Sequence, residues 1–178
     1  MFLNRVIGVM KLDVDTYEEI EADQTATSQA ALVVAIVAIV GGLLGGALSI
    51  FTDASFLGVF LKQLIGAFAG WFIWSFVTYF VGTSFFGGKS TPSEMLRVLG
   101  FAQAPGILSI IPVCGPFVGW IWTLACSFIA IRQGLDLDNT KALLTAIVAL
   151  IAVIIVYVVI GLILGALDLT AGVIGGIF

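Results

Sequence analysis

The residues in this sequence that could do chemistry are few. Gly87-Gly-Lys-Ser-Thr91 carries the ending of a phosphate-binding loop, whose backbone N–H groups cradle phosphates while the lysine pairs with them. The first glycine of that motif belongs five positions before the second, and Thr83 stands there. The segment therefore reads as a flexible cytoplasmic turn before a capped helix. Cys114 and Cys126 are too far apart for a CxxC motif, and the chain has no histidine to complete a metal site. Both read as small buried apolar side chains, with no disulfide framework. Without histidine the serines and threonines have no ordinary triad, and no two carboxylates share an apolar run. The most polar point among the apolar runs is Phe101-Ala-Gln-Ala-Pro-Gly106. There Pro105 predicts a kink that frees carbonyls for Gln103 or a neighbouring helix, with a hinge or small-molecule contact as the alternative. No catalytic, cofactor-binding or metal-ligating residue emerges, so a non-enzymatic protein without a cofactor is expected.

What holds these residues is a chain made for lipid. Hydrophobic residues are 61% of the 178 and charged residues 10%, against about a quarter charged in an ordinary soluble domain. The net charge of -4 comes mostly from one acidic tract near the start, which removes nucleic acid as a partner. Asp23 to Asp53, Gly66 to Gly88 and Ala142 to Leu167 enclose uncharged stretches longer than the roughly 20 residues a crossing needs. Val98 to Ile131 is uncharged as well, but one helix of that length would reach on the order of 50 Å, so it is expected to fold back. Thr91-Pro-Ser-Glu94 is a capping box that starts a helix near Pro92 and sends it towards Pro112. Ile111-Pro-Val-Cys-Gly-Pro116 is a turn, and a second arm runs through Trp120 and Trp122 to Arg132.

The fold class predicted is thus all-α, a polytopic five-transmembrane-helix bundle with spans near 29–50, 57–81, 92–112, 115–132 and 141–167. Five spans with the amino terminus inside place Arg5, Lys11, Lys89, Arg97, Arg132 and Lys141 in the cytoplasm and leave only Lys62 outside, as the distribution of positive charge in a bacterial-type inner membrane requires. Lys62 and Arg132 stand at span ends, where they snorkel. Residues 1–28 form a cytoplasmic and interfacial segment. Phe2, Leu3, Val6, Ile7 and Met10 recur at helical spacing against Asn4, Arg5, Gly8 and Lys11, an amphipathic helix in the interface. Asp13 to Asp23 is expected in water as a solvated acidic face, or else as a dock for a basic partner, with Thr16 and Glu19 as a second capping box. With more than twenty amphipathic and acidic residues before it, the first span is expected to act as an uncleaved anchor. The apolar tail 169–178 is too short to cross and is expected outside, against the leaflet or the bundle.

Glycines four apart, Gly41 and Gly45, Gly42 and Gly46, Gly66 and Gly70, Gly115 and Gly119, Gly161 and Gly165, give small helix faces for close packing within the chain or against another subunit. Trp71, Trp74, Trp120 and Trp122 suit interfacial belts or helix packing.

The order of elements resembles a known family. An amphipathic start, Asp15-Thr-Tyr-Glu-Glu-Ile20, a glycine-laden first span, Glu94-Met-Leu-Arg-Val-Leu-Gly-Phe-Ala-Gln-Ala-Pro105, a Pro-Val-x-Gly-Pro turn and Ile131-Arg-Gln-Gly-Leu-Asp136 together resemble prokaryotic Yip-domain proteins. The resemblance implies a five-span domain with a cytoplasmic amino terminus and supplies no catalytic residues. Eukaryotic members are implicated in vesicle traffic and bind small GTPases, but the Asp-Leu-Tyr-Gly-Pro type motif of their cytoplasmic segment is missing here. The expectation is a membrane organiser or scaffold, whose partners are membrane lipids and other membrane protein subunits or further copies of itself. The alternatives are an accessory subunit of a larger complex and, third, a channel or carrier for a neutral solute.

Overall fold

The computed structural model describes residues 2–175, with side chains described as far as residue 163. Seven α-helices follow in order: α1 (Phe2–Met10), α2 (Val14–Ala22), α3 (Ala26–Leu48), α4 (Phe56–Phe86), α5 (Pro92–Phe101), α6 (Gly115–Gly134) and α7 (Asn139–Gly175). Short 3-10 segments cover Ser49–Phe51 and Ala104–Ile110, and the described residues include no strand. Four stretches are long and apolar enough to cross a membrane: Ala26–Phe51, Phe56–Phe86, Gly115–Gly134 and Asn139–Ile163. These correspond to the first, second, fourth and fifth spans read from the sequence.

The third span departs from expectation. Its start is as predicted: Thr91 Oγ1 accepts from Glu94 N–H at 3.3 Å, Glu94 Oε2 accepts from Thr91 N–H at 2.6 Å, and Pro92 fills the first turn. The α-helix then stops at Phe101 instead of running on through a kink. Pro105 is the residue whose N–H would have reached the Phe101 carbonyl, and it has none. The chain tightens into the 3-10 segment Ala104–Ile110, with Gly106 N–H on Gln103 O. Ile111 to Gly115 makes the expected turn, held by Cys114 N–H on Pro112 O and Gly115 N–H on Ile111 O. A Cβ on Gly115 would overlap the Leu108 carbonyl, and one on Gly119 would come within 2.9 Å of Pro105 O, so the 3-10 segment lies directly on α6. At the far end of α6 a Cβ on Gly134 would meet Val98 at 2.8 Å. The arm of α5 plus the 3-10 segment therefore runs antiparallel along the whole of α6. Ten residues at 1.5 Å and seven at about 2.0 Å bring its rise to roughly 30 Å, equal to that of the 20-residue α6.

α3 and α4 form the other antiparallel pair. Cβ atoms built on Gly42 and Gly46 would come within 2.9 Å of Phe60 and 2.7 Å of Phe56, so aromatic rings fill the glycine face of α3. α7 packs on α4 and more lightly on α6. Its backbone stays helical to Gly175, where the sequence suggested an end near 167 and a separate tail, since no proline intervenes. How the tail 169–178 packs, and residues 176–178 altogether, lie outside the described residues.

Candidate functional site

A cluster of buried side chains gathers where α1 and α2 meet the bundle. Val9, Tyr17, Ile20, Ala26, Met95, Leu99, Phe101, Cys126 and Leu135 are all fully buried in one cluster. The acidic stretch 13–23 is thus not wholly in water: Tyr17 and Ile20, three apart, turn one face of α2 into the core. Charge hid this in the sequence, although the i, i+3 apolar pair was the available signal. The second capping box does not form either. α2 begins earlier, at Val14, and Thr16 donates its hydroxyl to Asp13 Oδ2 at 2.6 Å.

Glu19 is used elsewhere, by a buried cation. Arg5 is 5% exposed, donating to Glu19 Oε1 at 2.9 Å, Asp23 Oδ2 at 2.6 Å and Gln29 Oε1 at 3.1 Å. Two carboxylates of the acidic stretch, Glu19 and Asp23, are thus paired with this chain's own α1. Hydrogen bonds from Thr25 and then from Arg5 hold the Asp23 carboxyl down at about 2. From the bundle, Arg97 on α5 is 4% exposed and sends its guanidinium to the carbonyls of Ile20 and Glu21 at the end of α2. Those carbonyls have no helical donor of their own, so a cation there is doubly favoured. On α6, Gln133 donates to Glu18 Oε1 at 2.6 Å and Trp122 Nε1 to Met10 O at 2.8 Å. The Tyr17 hydroxyl lies 3.2 Å from the carbonyls of both Val9 and Cys126, and burial raises its pKa.

Of α1, Phe2, Val6 and Met10 pack on the core while Leu3 and Ile7, one turn apart, are exposed. Gly8 allows the close approach of α2, since a Cβ there would overlap Thr16.

Glu21 stands among like charges. Burial, with Asp136, Glu94 and Glu18 nearby, raises its pKa to about 7 against the opposing pull of Arg97. No group of three histidine, cysteine or carboxylate side chains among the described residues is placed to hold a metal.

The remaining residues singled out by sequence fall apart in space. Gly87 adopts the left-handed conformation, φ 73°, and ends α4. Gly88 N–H donates to Gly82 O and Lys89 N–H to Leu135 O, so the glycine turn is tied to the bundle and does not cradle an anion. Cys126 is buried as expected, but Cys114 is exposed at the turn before α6, where Val113 is 97% exposed. Trp71 donates to Leu96 O at 3.0 Å inside the bundle. Gln103 lines a cleft between α3 and α4 with Gln63, Gly66 and Gly70, beyond the end of α5. Gly66 has nothing within 4 Å of where its Cβ would stand. Among the described residues, the buried hydroxyls of Ser75, Thr78 and Thr145 find no hydrogen-bond partner.

The basic residues are sorted by these contacts. Arg5, Arg97 and Arg132 lie at one end of the bundle with Lys89, whose N–H reaches Leu135. Lys62 belongs to the opposite half of α4, where Phe56 and Phe60 meet Gly46 and Gly42.

An all-helical bundle with several apolar helices of crossing length defines a multi-pass membrane protein. Residues 7–161 match the Yip1 domain, which is most of the chain, and the protein belongs to that family. No curated protein and no solved structure matches it.

Proposed function

We propose that this Yip1-domain chain is a non-enzymatic membrane organiser that crosses the bilayer five times. Its amino terminus lies in the cytoplasm, its carboxyl terminus outside the inner membrane, and α1 rests in the interface. What carries the reading is that the ionisable side chains at the basic end hold helices to one another: Arg5 ties α1 to α2 and α3, and Arg97 ties α5 to α2. The five-fold crossing is supported by the match in rise between the α5 arm and α6. Exposed Leu3 and Ile7 on α1 suit an acyl-chain boundary, with Arg5 turned inward. The function of such a domain lies in the apolar helix faces it offers to lipids and to other membrane proteins.

A second reading, an accessory subunit of a larger complex, is favoured by one feature. On α4, exposed Gln63 and the open face at Gly66 provide a polar group and a small residue to a neighbouring helix. Purification of the native complex in mild detergent separates the two. The organiser reading expects the chain alone or as a homo-oligomer, and a fixed-stoichiometry assembly with a different membrane protein would replace it with the accessory reading.

A further inference from the structure

α6 and α7 touch only lightly, and between them a cleft of 430 Å³ is lined by Leu124 and Phe128 of α6, Leu143, Ala146 and Leu150 of α7, and Trp74 of α4. Towards the basic end it continues into a second hollow lined by Asn139 and Thr140, which shares Phe128 and Leu143 with the first. An apolar channel thus opens into a polar mouth. At that mouth Arg132 donates from Nη1 to Asn139 Oδ1 at 3.1 Å and from Nε to Gln133 Oε1 at 2.8 Å. Among the described residues it forms no ion pair, unlike Arg5 and Arg97. The first N–H groups of α7 are not what an anion would meet, because Asp138 Oδ1 already accepts from Thr140 and Lys141. The available positive charge is the guanidinium.

We propose that this cleft holds one membrane phospholipid, its phosphate on Arg132, Asn139 and Thr140 and one acyl chain lying between α6 and α7. From Asn139 to Leu150 the helix rises about 16 Å, room for most of an acyl chain. Lipid tails surround both helices at high concentration, and a phosphate is the anion found where tails end. An unpaired guanidinium gives phosphate planar, charge-assisted hydrogen bonds that a neutral headgroup cannot accept as strongly.

The test is native mass spectrometry of the full chain released from nanodiscs containing phosphatidylglycerol or diacylglycerol of the same chain length. Wild type should retain one phosphatidylglycerol and little diacylglycerol. Arg132→Gln should weaken retention about five-fold, the effect of one cation near a membrane surface. Ala146→Phe, which fills the cleft and leaves the mouth intact, should also reduce it. Lys141→Gln removes the same charge on the side of α7 turned away from the cleft and should change nothing. Equal retention of diacylglycerol, or Arg132→Gln and Lys141→Gln behaving alike, would overturn the phosphate site. Neither result touches the organiser reading, which rests on oligomeric state.

Discussion

A guanidinium buried at the carboxyl end of a short helix does two things at once, and Arg97 shows both. It satisfies the Ile20 and Glu21 carbonyls that α2 leaves open, and it moderates the carboxylates gathered around Glu21. Arg97→Met keeps much of the side-chain volume but strands those carbonyls. It should cost about 2 kcal/mol of α2 docking, read as a roughly 30-fold loss of amide exchange protection over residues 14–22. Unchanged protection there would mean that α2 is held by Tyr17 and Ile20 alone. Glu21 makes the docking depend on pH. Its carboxyl pKa rises from the ordinary 4.5 to about 7 in the folded chain, chiefly through burial and then through Asp136, Glu94 and Glu18. A raised carboxyl favours the folded state while protonated, so this contribution is full below about 4.5 and is lost as pH rises through about 7. The thermal midpoint in detergent should therefore fall between pH 5.5 and 8, and Glu21→Gln should flatten that slope. The chain has no histidine, the side chain whose ordinary titration falls in this interval. An identical slope in Glu21→Gln would assign the effect to another group.

Single elements show what packing uses. The glycines of α3 are filled from within the chain, because α4 presents Phe56, Val59 and Phe60 to Gly46, Gly45 and Gly42. Gly46→Val should destabilise the α3–α4 pair by about 2 kcal/mol through overpacking, whereas Gly66→Ala, with open space around it, should leave unfolding in mixed micelles unchanged. If Gly66→Ala instead lowers the oligomeric state, that face is an interface between chains. Much of this level was legible beforehand. The Thr91–Glu94 box, Pro92 and the turn at Pro112 to Pro116 act locally, so residue type and spacing set them. The end of α5 at Phe101 was harder, because Pro105 allows either a kink or a stop. The stop is favoured here by the tight seat of the following 3-10 segment against Gly115 and Gly119 of α6, a long-range contact. The docking of α2 was hidden for a related reason: Tyr17 and Ile20 are two apolar residues among carboxylates, and the partners Arg5, Arg97 and Gln133 that bond α2 to the rest of the chain are distant in sequence. Cys114 was misplaced by the general tendency of cysteine to be buried, where the turn conformation decided otherwise.

At the scale of the molecule, the proposed layout turns on which ends of the helices share a side of the membrane, and the chain's two cysteines report it. Cys114 is exposed in the turn between the 3-10 segment and α6, about 30 Å along α6 from the end that holds Arg132. Cys126 is buried beneath α1, its thiol facing the Val9 carbonyl. Basic residues gather at the Arg132 end, and positive charge is retained on the cytoplasmic side. Five crossings then place Cys114 outside. A membrane-impermeant maleimide added to intact cells with a permeable outer membrane should modify Cys114 and spare Cys126, and Cys114→Ser should abolish the labelling. Modification that appears only after the inner membrane is opened would put the turn in the cytoplasm. Because Lys89, Arg97 and Arg132 share the opposite end of the bundle, that end would then face outside, and the sorting of charge that supports the five-span organiser would be reversed. Labelling of Cys126 alongside Cys114 under native conditions would carry a separate meaning, that α1 has lifted from its seat. The same reagent thus measures topology at one cysteine and the state of the amino-terminal helices at the other.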